Sequence, residues 1–199
     1  MRQSIVRFLL VVAVVPVALA ARADQRPLVG QLDLGITYAA GHANYVPDST
    51  FWMQGGSIEL VGHVLYGFAA VADITGLRAG ASSPSTVPVN LLTDTFGPRY
   101  TALVARRNSR HPIFLFGQGL IGEAHGLRGV YPGPNGTTSS ALSFALQLAG
   151  GADIALSPHL TLRAAQVGWL RTQLPNAGSD VQNDLRVGAG IVFHTRGGR

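Results

Sequence analysis

From Ala141 to Leu156 the chain alternates between two kinds of side chain with a period of two. Leu142, Phe144, Leu146, Leu148, Ala152, Ile154 and Leu156 fall on one face of an extended strand, and Ser143, Ala145, Gln147, Ala149, Gly151 and Asp153 on the other. The pattern returns at Leu32, Leu34, Ile36 and Tyr38, at Tyr66, Phe68, Ala70, Ala72 and Ile74, and at Leu185, Val187, Ala189, Ile191 and Phe193. Such segments fold as strands with two unlike faces, and the question is which face meets solvent. The polar faces hold small residues with isolated charged or amide groups: Asp33, Glu59, Asp73, Arg99, Gln147, Asp153, Arg163 and Arg186. A water-facing surface needs more charge than that. Only 13% of the residues are charged, and all fifteen basic residues are Arg, whereas ordinary soluble domains carry about 25%. The narrow interior of a closed barrel accepts small side chains and paired charges. The apolar faces therefore look outward, into lipid.

Lipid admits helices and closed barrels alone, because each backbone polar group there must be bonded within the protein. The one long apolar run, Phe8 to Leu19, is interrupted by Pro16 and is short for a spanning helix. Arg2 and Arg7 precede it and Ala21-Arg22-Ala23 follows, so residues 1–23 are expected to be a cleaved signal peptide, with the mature chain starting near Asp24. Its removal takes away three Arg and lowers the formal charge from +5 to +2. No Arg-rich segment is interleaved with aromatics, so a nucleic-acid partner is not expected. With no Cys, disulfides and thiolate metal sites are excluded.

Turn signals divide residues 24–194 into eight strands, near 31–40, 52–61, 65–75, 92–105, 112–123, 140–156, 159–171 and 183–193. Long Gly/Pro/Ser-rich connections are expected near 41–51, 76–91, 124–139 and 172–182. Short turns are expected at Gly62-His63-Val64, around Arg106 to His111, and at Ser157-Pro158. Long outer loops alternating with short periplasmic turns are the asymmetry of outer-membrane barrels. The predicted class is all-β, an eight-stranded antiparallel up-and-down transmembrane barrel, followed by a short tail, residues 195–199, that adds no ladder bonds. Pro98 cannot donate to a ladder and suggests a bulge in the fourth strand. In the fifth, Phe114 and Phe116 compete with Ile113 and Leu115 for the outward face.

Phe96-Gly97-Pro98-Arg99-Tyr100, the segment from Phe116 to His125, and Val181 to Phe193 resemble the small OmpA/OmpX-like outer-membrane barrel family, in particular its acidobacterial-type members. Arg186-x-Gly188-x-x-Ile191-x-Phe193 also resembles the terminal-strand signal read by barrel-assembly machinery. Here six residues follow the final aromatic, where family members stop at or near it. The resemblance implies an outer-membrane location, contact with outer-membrane lipid, and the assembly machinery as a partner during biogenesis.

Motifs for chemistry are weak. Gly117-Gln118-Gly119-Leu120-Ile121-Gly122 fits the dinucleotide pattern, but neither the required helix nor the ribose-binding acid follows it. Small residues giving room inside a barrel explain it better. His42, His63, His111, His125, His159 and His194 are scattered; Glu123 and His125 alone share a face at i, i+2, and two ligands do not make a site. No G-x-S-x-G elbow and no His-x-Ser-Asn motif is present. Accordingly no catalytic, cofactor-binding or metal-ligating residue is assigned, and no cofactor is expected. Tyr38, Trp52, Tyr66, Tyr100 and Trp169 lie toward strand ends, where barrels carry interfacial aromatics. Arg106, Arg107 and Arg110 form one basic cluster in a turn, suited to anionic headgroups or to water. The function expected is that of a non-catalytic outer-membrane barrel of structural or surface-exposed type, with its long loops as the binding or adhesive part for an extracellular ligand. A narrow pore and a lipid-modifying enzyme are the alternatives.

Overall fold

Eight strands, each presenting an apolar and a polar face, bury the polar one by closing on themselves. In the computed structural model the strands are β1 (Leu32–Val46), β2 (Ser49–Leu65), β3 (Phe68–Ala79), β4 (Asn90–Ala105), β5 (Ile113–Gly133), β6 (Gly136–Ser157), β7 (Leu160–Thr172) and β8 (Gln182–His194). Each pairs antiparallel with the next, and β8 returns to β1 to close the barrel. The structure describes residues 30–46, 49–79, 89–105, 111–133, 136–176 and 180–195. The expected signal peptide, most of the connections at 76–91 and 106–111, and the last four residues lie outside these.

Facing follows the alternation. Leu32, Leu34, Ile36 and Tyr38 point outward, as do Phe68, Ile74, Leu142, Phe144, Leu185 and Ile191, each of them exposed; Asp33, Glu59, Asp73, Arg99, Gln147, Arg163 and Arg186 are buried inside. The outward run on β3 goes from Phe68 through Ala70, Ala72 and Ile74 to Arg78. Its apolar part, Phe68 to Ile74, is six residue steps of about 3.3 Å, which at a tilt of about 40° climb ~15 Å before Arg78 brings charge to the wall.

Three expectations need correction, and one left open is decided. The strands are longer than expected, so most of 41–51 and 124–139 is ladder rather than loop. Glycines there signal close packing: a Cβ on Gly126 would lie 2.2 Å from the Tyr131 hydroxyl. The first short turn is Tyr66-Gly67 rather than Gly62-His63-Val64. Both of its central residues have positive φ, 34° and 85°, as a two-residue hairpin turn matched to strand twist requires. His63 instead stays in β2, just before a register shift, with its ring on Asp33. Pro98 makes no bulge. Pairing with β5 lapses at Gly97 and Pro98 and resumes at Arg99 in the same register, because the missing N–H costs ladder bonds without displacing the chain. In β5, Ile113 and Leu115 face out while Phe116 is buried.

β8 ends at His194, but the first residue after it still bonds to the seam. Thr195 donates its N–H to Leu32 O at 3.0 Å, and its hydroxyl donates to the same oxygen at 2.8 Å. It belongs to the β1–β8 seam, where Phe193 pairs with Leu34 on one side and Leu160 on the other. Deleting residues 196–199 is therefore expected to leave the amount of folded barrel unchanged, whereas Phe193→Ala lowers it. Heat-modifiable gel migration of membrane fractions measures both, and the reverse ranking would overturn this boundary.

Candidate functional site

The interior is stacked in layers, each set by which inward residues the strands supply. A charged layer occupies the middle. Arg99 donates to Glu59 Oε1 at 2.7 Å and to Gln118 Oε1 at 2.7 Å, and Gln118 donates to the same Glu59 oxygen at 3.2 Å. Arg163 pairs with the second oxygen of Glu59 and donates to Asp153 at 3.1 Å. Both guanidinium groups lie on the Phe116 ring, 4.4 and 4.5 Å from its centroid, which explains the inward turn of an aromatic that hydropathy would place in lipid. Nearby, Arg186 donates to Thr93 and Gln147 at 3.3 and 3.2 Å, and the Thr75 hydroxyl donates to Asp73 at 2.7 Å. Buried charges persist when paired and hydrogen-bonded. A cavity of about 20 Å³ beside Thr37, Ser57, Thr75, Gln147 and Arg186 has room for about one water.

Apolar layers lie above and below. Val61, Ala69, Val71 and Leu120 pack toward the end where β1 starts and β8 finishes. Toward the opposite end, where β5 and β6 extend furthest, a larger cluster includes Phe51, Met53, Leu77, Leu91, Tyr131 and Leu170. At the levels of this cluster the outside is mixed: Gln54, Arg78, Asp94, Glu123, Arg171 and Gln173 are exposed there beside Trp52, Leu127, Leu142 and Phe144. Polarity has thus partly inverted. The lower wall is apolar outside and charged inside, as lipid demands; the upper wall is apolar inside and adds charged and amide groups to the apolar ones outside, as a water-facing rim requires. Aromatics mark both edges of the apolar zone. Phe68 and Tyr100 meet with tilted rings at 4.9 Å near the short turns; at the upper edge the Tyr38 hydroxyl donates to Gln54 at 2.9 Å and Trp52 lies edge-on to His42 at 5.2 Å.

The histidines separate. His63 Nε2 is 2.6 Å and His194 Nδ1 2.8 Å from the two Asp33 oxygens, which ties β2 and β8 to β1 at the lower mouth. His194 Nε2 is 2.9 Å from the Thr161 hydroxyl, a hydroxyl–imidazole–carboxylate series like that of an activated nucleophile. Thr161 is only 5% exposed and faces the packed interior, so the series serves the seam. His125 has company that spacing alone did not show. Asp94, from the neighbouring strand, joins it and Glu123, and the three offer ligand atoms all within 4.8 Å of one another. Asp94 was missed because only the β4–β5 register reveals its place opposite Glu123. The G-x-G-x-x-G residues lie in β5 as extended strand, with no helix after them.

Together, closure, strand number and the outward apolar face define the class: an eight-stranded antiparallel transmembrane barrel. No family model matches the chain, and neither does any curated protein. Among solved structures it is similar to Ail, the attachment invasion locus protein of Yersinia pestis, in complex with the heparin analogue sucrose octasulfate, at 17% identity and a TM-score of 0.52, over 83% of this chain and 100% of that one. It is also similar to Neisserial surface protein A, at 12% identity and a TM-score of 0.56, over 82% and 98%. At such identities the likeness is one of fold.

Proposed function

We propose that the protein is a non-catalytic outer-membrane barrel whose work is done at its upper, loop-bearing end, with the chain termini in the periplasm. The inversion of polarity along the wall carries this reading. A barrel that is lipid-like below and, above, carries charged groups outside over an apolar interior projects out of the bilayer as a solid platform, and binding function concentrates on loops and rims held by such scaffolds. The pore alternative is disfavoured because, among the described residues, charged and apolar layers fill the interior. The enzyme alternative is disfavoured because, among the described residues, the hydroxyl of the Thr161–His194–Asp33 series is walled in. Lipid against the lower wall, assembly machinery during biogenesis and an extracellular ligand at the loops are the partners this reading implies.

The test labels surface cysteines in intact cells. Thr138→Cys, near the tip of the β5–β6 hairpin, should react with a membrane-impermeant thiol reagent, and Val64→Cys, near the lower mouth, should not. In planar bilayers the purified protein should show no steady conductance. Labelling at position 64 instead of 138 would reverse the orientation, and a stable open channel would overturn the filled interior.

A further inference from the structure

On the outer wall, the row of cross-strand neighbours that starts at Ile36 runs through Ile58 and Ile74 to Asp94, Glu123 and Phe144. Two carboxylates therefore stand directly opposite each other on paired strands, with large apolar side chains on either side. Like charges so placed repel, and they do so more strongly where apolar surroundings lower the local dielectric. Among the described residues no Arg pairs with either carboxylate. Each has one polar side-chain partner, the shared His125 ring, whose Nε2 is 3.1 Å from Asp94 Oδ1 and 3.7 Å from Glu123 Oε2. A neutral imidazole leaves two negative charges uncompensated, and an imidazolium still leaves one.

We propose that Asp94, Glu123 and His125 bind a divalent first-row transition-metal cation at the upper edge of the apolar band. Ligands about 2.1 Å from a tetrahedral ion lie about 3.4 Å apart, and the two separations at the imidazole already straddle that value. One nitrogen and two carboxylate oxygens suit zinc or manganese better than the all-oxygen cages that calcium prefers. Three protein ligands leave the fourth position open. It faces away from the wall, toward the headgroup layer. The ion also accounts for the paired carboxylates. It turns a repulsive juxtaposition at the end of an isoleucine row into a clasp between β4 and β5. The site stands on the strand register and is independent of which ligand the loops take.

Calorimetric titration of the chelator-stripped, purified barrel in detergent micelles with zinc chloride tests this. One equivalent should bind with micromolar affinity, and zinc should raise the thermal midpoint, since a ligand held only by the folded state stabilises it. Asp94→Asn, Glu123→Gln and His125→Ala should each weaken binding at least tenfold and abolish the thermal shift. The first two remove like-charge repulsion, so they should fold at least as well as the parent, which gel migration verifies. His42→Ala and His159→Ala should leave affinity unchanged. Absence of saturable binding at millimolar zinc, or full affinity retained in His125→Ala, would overturn the site and leave a simple imidazolium contact.

Discussion

Glu59→Leu is expected to lower barrel stability by about 3–5 kcal/mol, the loss typical when one member of a buried ion network is removed. Glu59 is fully buried and gives one oxygen to Arg99 and the other to Arg163. Its loss strands two guanidinium groups at the middle of the interior. Arg163 keeps Asp153, and Arg99 keeps Gln118 and the Phe116 ring. Neither remaining set offsets two buried positive charges facing the same ring. Most of the loss is therefore the penalty of unpaired charge rather than the worth of the original pairs. That has a consequence of opposite sign to simple addition. Glu59→Leu with Arg99→Met should be less damaging than Glu59→Leu alone, since the second change removes a charge the first one stranded. Urea unfolding in lipid vesicles, followed by gel migration, measures both. A loss under about 1 kcal/mol for Glu59→Leu would mean that water reaches this layer, and the interior would not be the sealed stack described above.

Much of this was legible in the sequence because period-two alternation survives closure. A strand in a barrel shows the same two faces as a strand in isolation, so Asp33, Glu59, Arg99 and Arg163 could be assigned inward from their neighbours alone. Where reading failed, the deciding interaction came from another strand. Phe116 turns inward because Arg99 of β4 and Arg163 of β7 meet its ring. Gly41 is ladder rather than loop, and a Cβ there would lie 3.1 Å from Leu77 of β3. Thr195 belongs to the seam through Leu32, far away in the chain. The inversion of polarity was hidden for another reason. Phe51, Met53 and Leu77 are apolar like the lipid-facing residues, and only the phase of each strand shows that they point the other way.

Phase also decides where the membrane assignment can be tested. Leu146 is central to the clearest stretch of alternation, but it pairs with Arg171 and so sits at the upper margin of the band. Ile36 lies deeper, outward-facing between Ile191 of β8 and Ile58 of β2. Ile36→Arg is expected to cost roughly 2–4 kcal/mol, as for Arg near the bilayer midplane of a barrel, and Gln173→Arg, in the polar zone above, about 0–1 kcal/mol. Both positions are exposed, and neither side chain meets the packed interior. Sterics and interior charge therefore cancel from the comparison, and what remains is the medium outside the wall. A soluble barrel with the same fold would put water against both positions and show two small, similar losses. Measured by folding into lipid vesicles against urea, equal effects at 36 and 173 would remove the bilayer from the lower wall, while the closed barrel itself would stand.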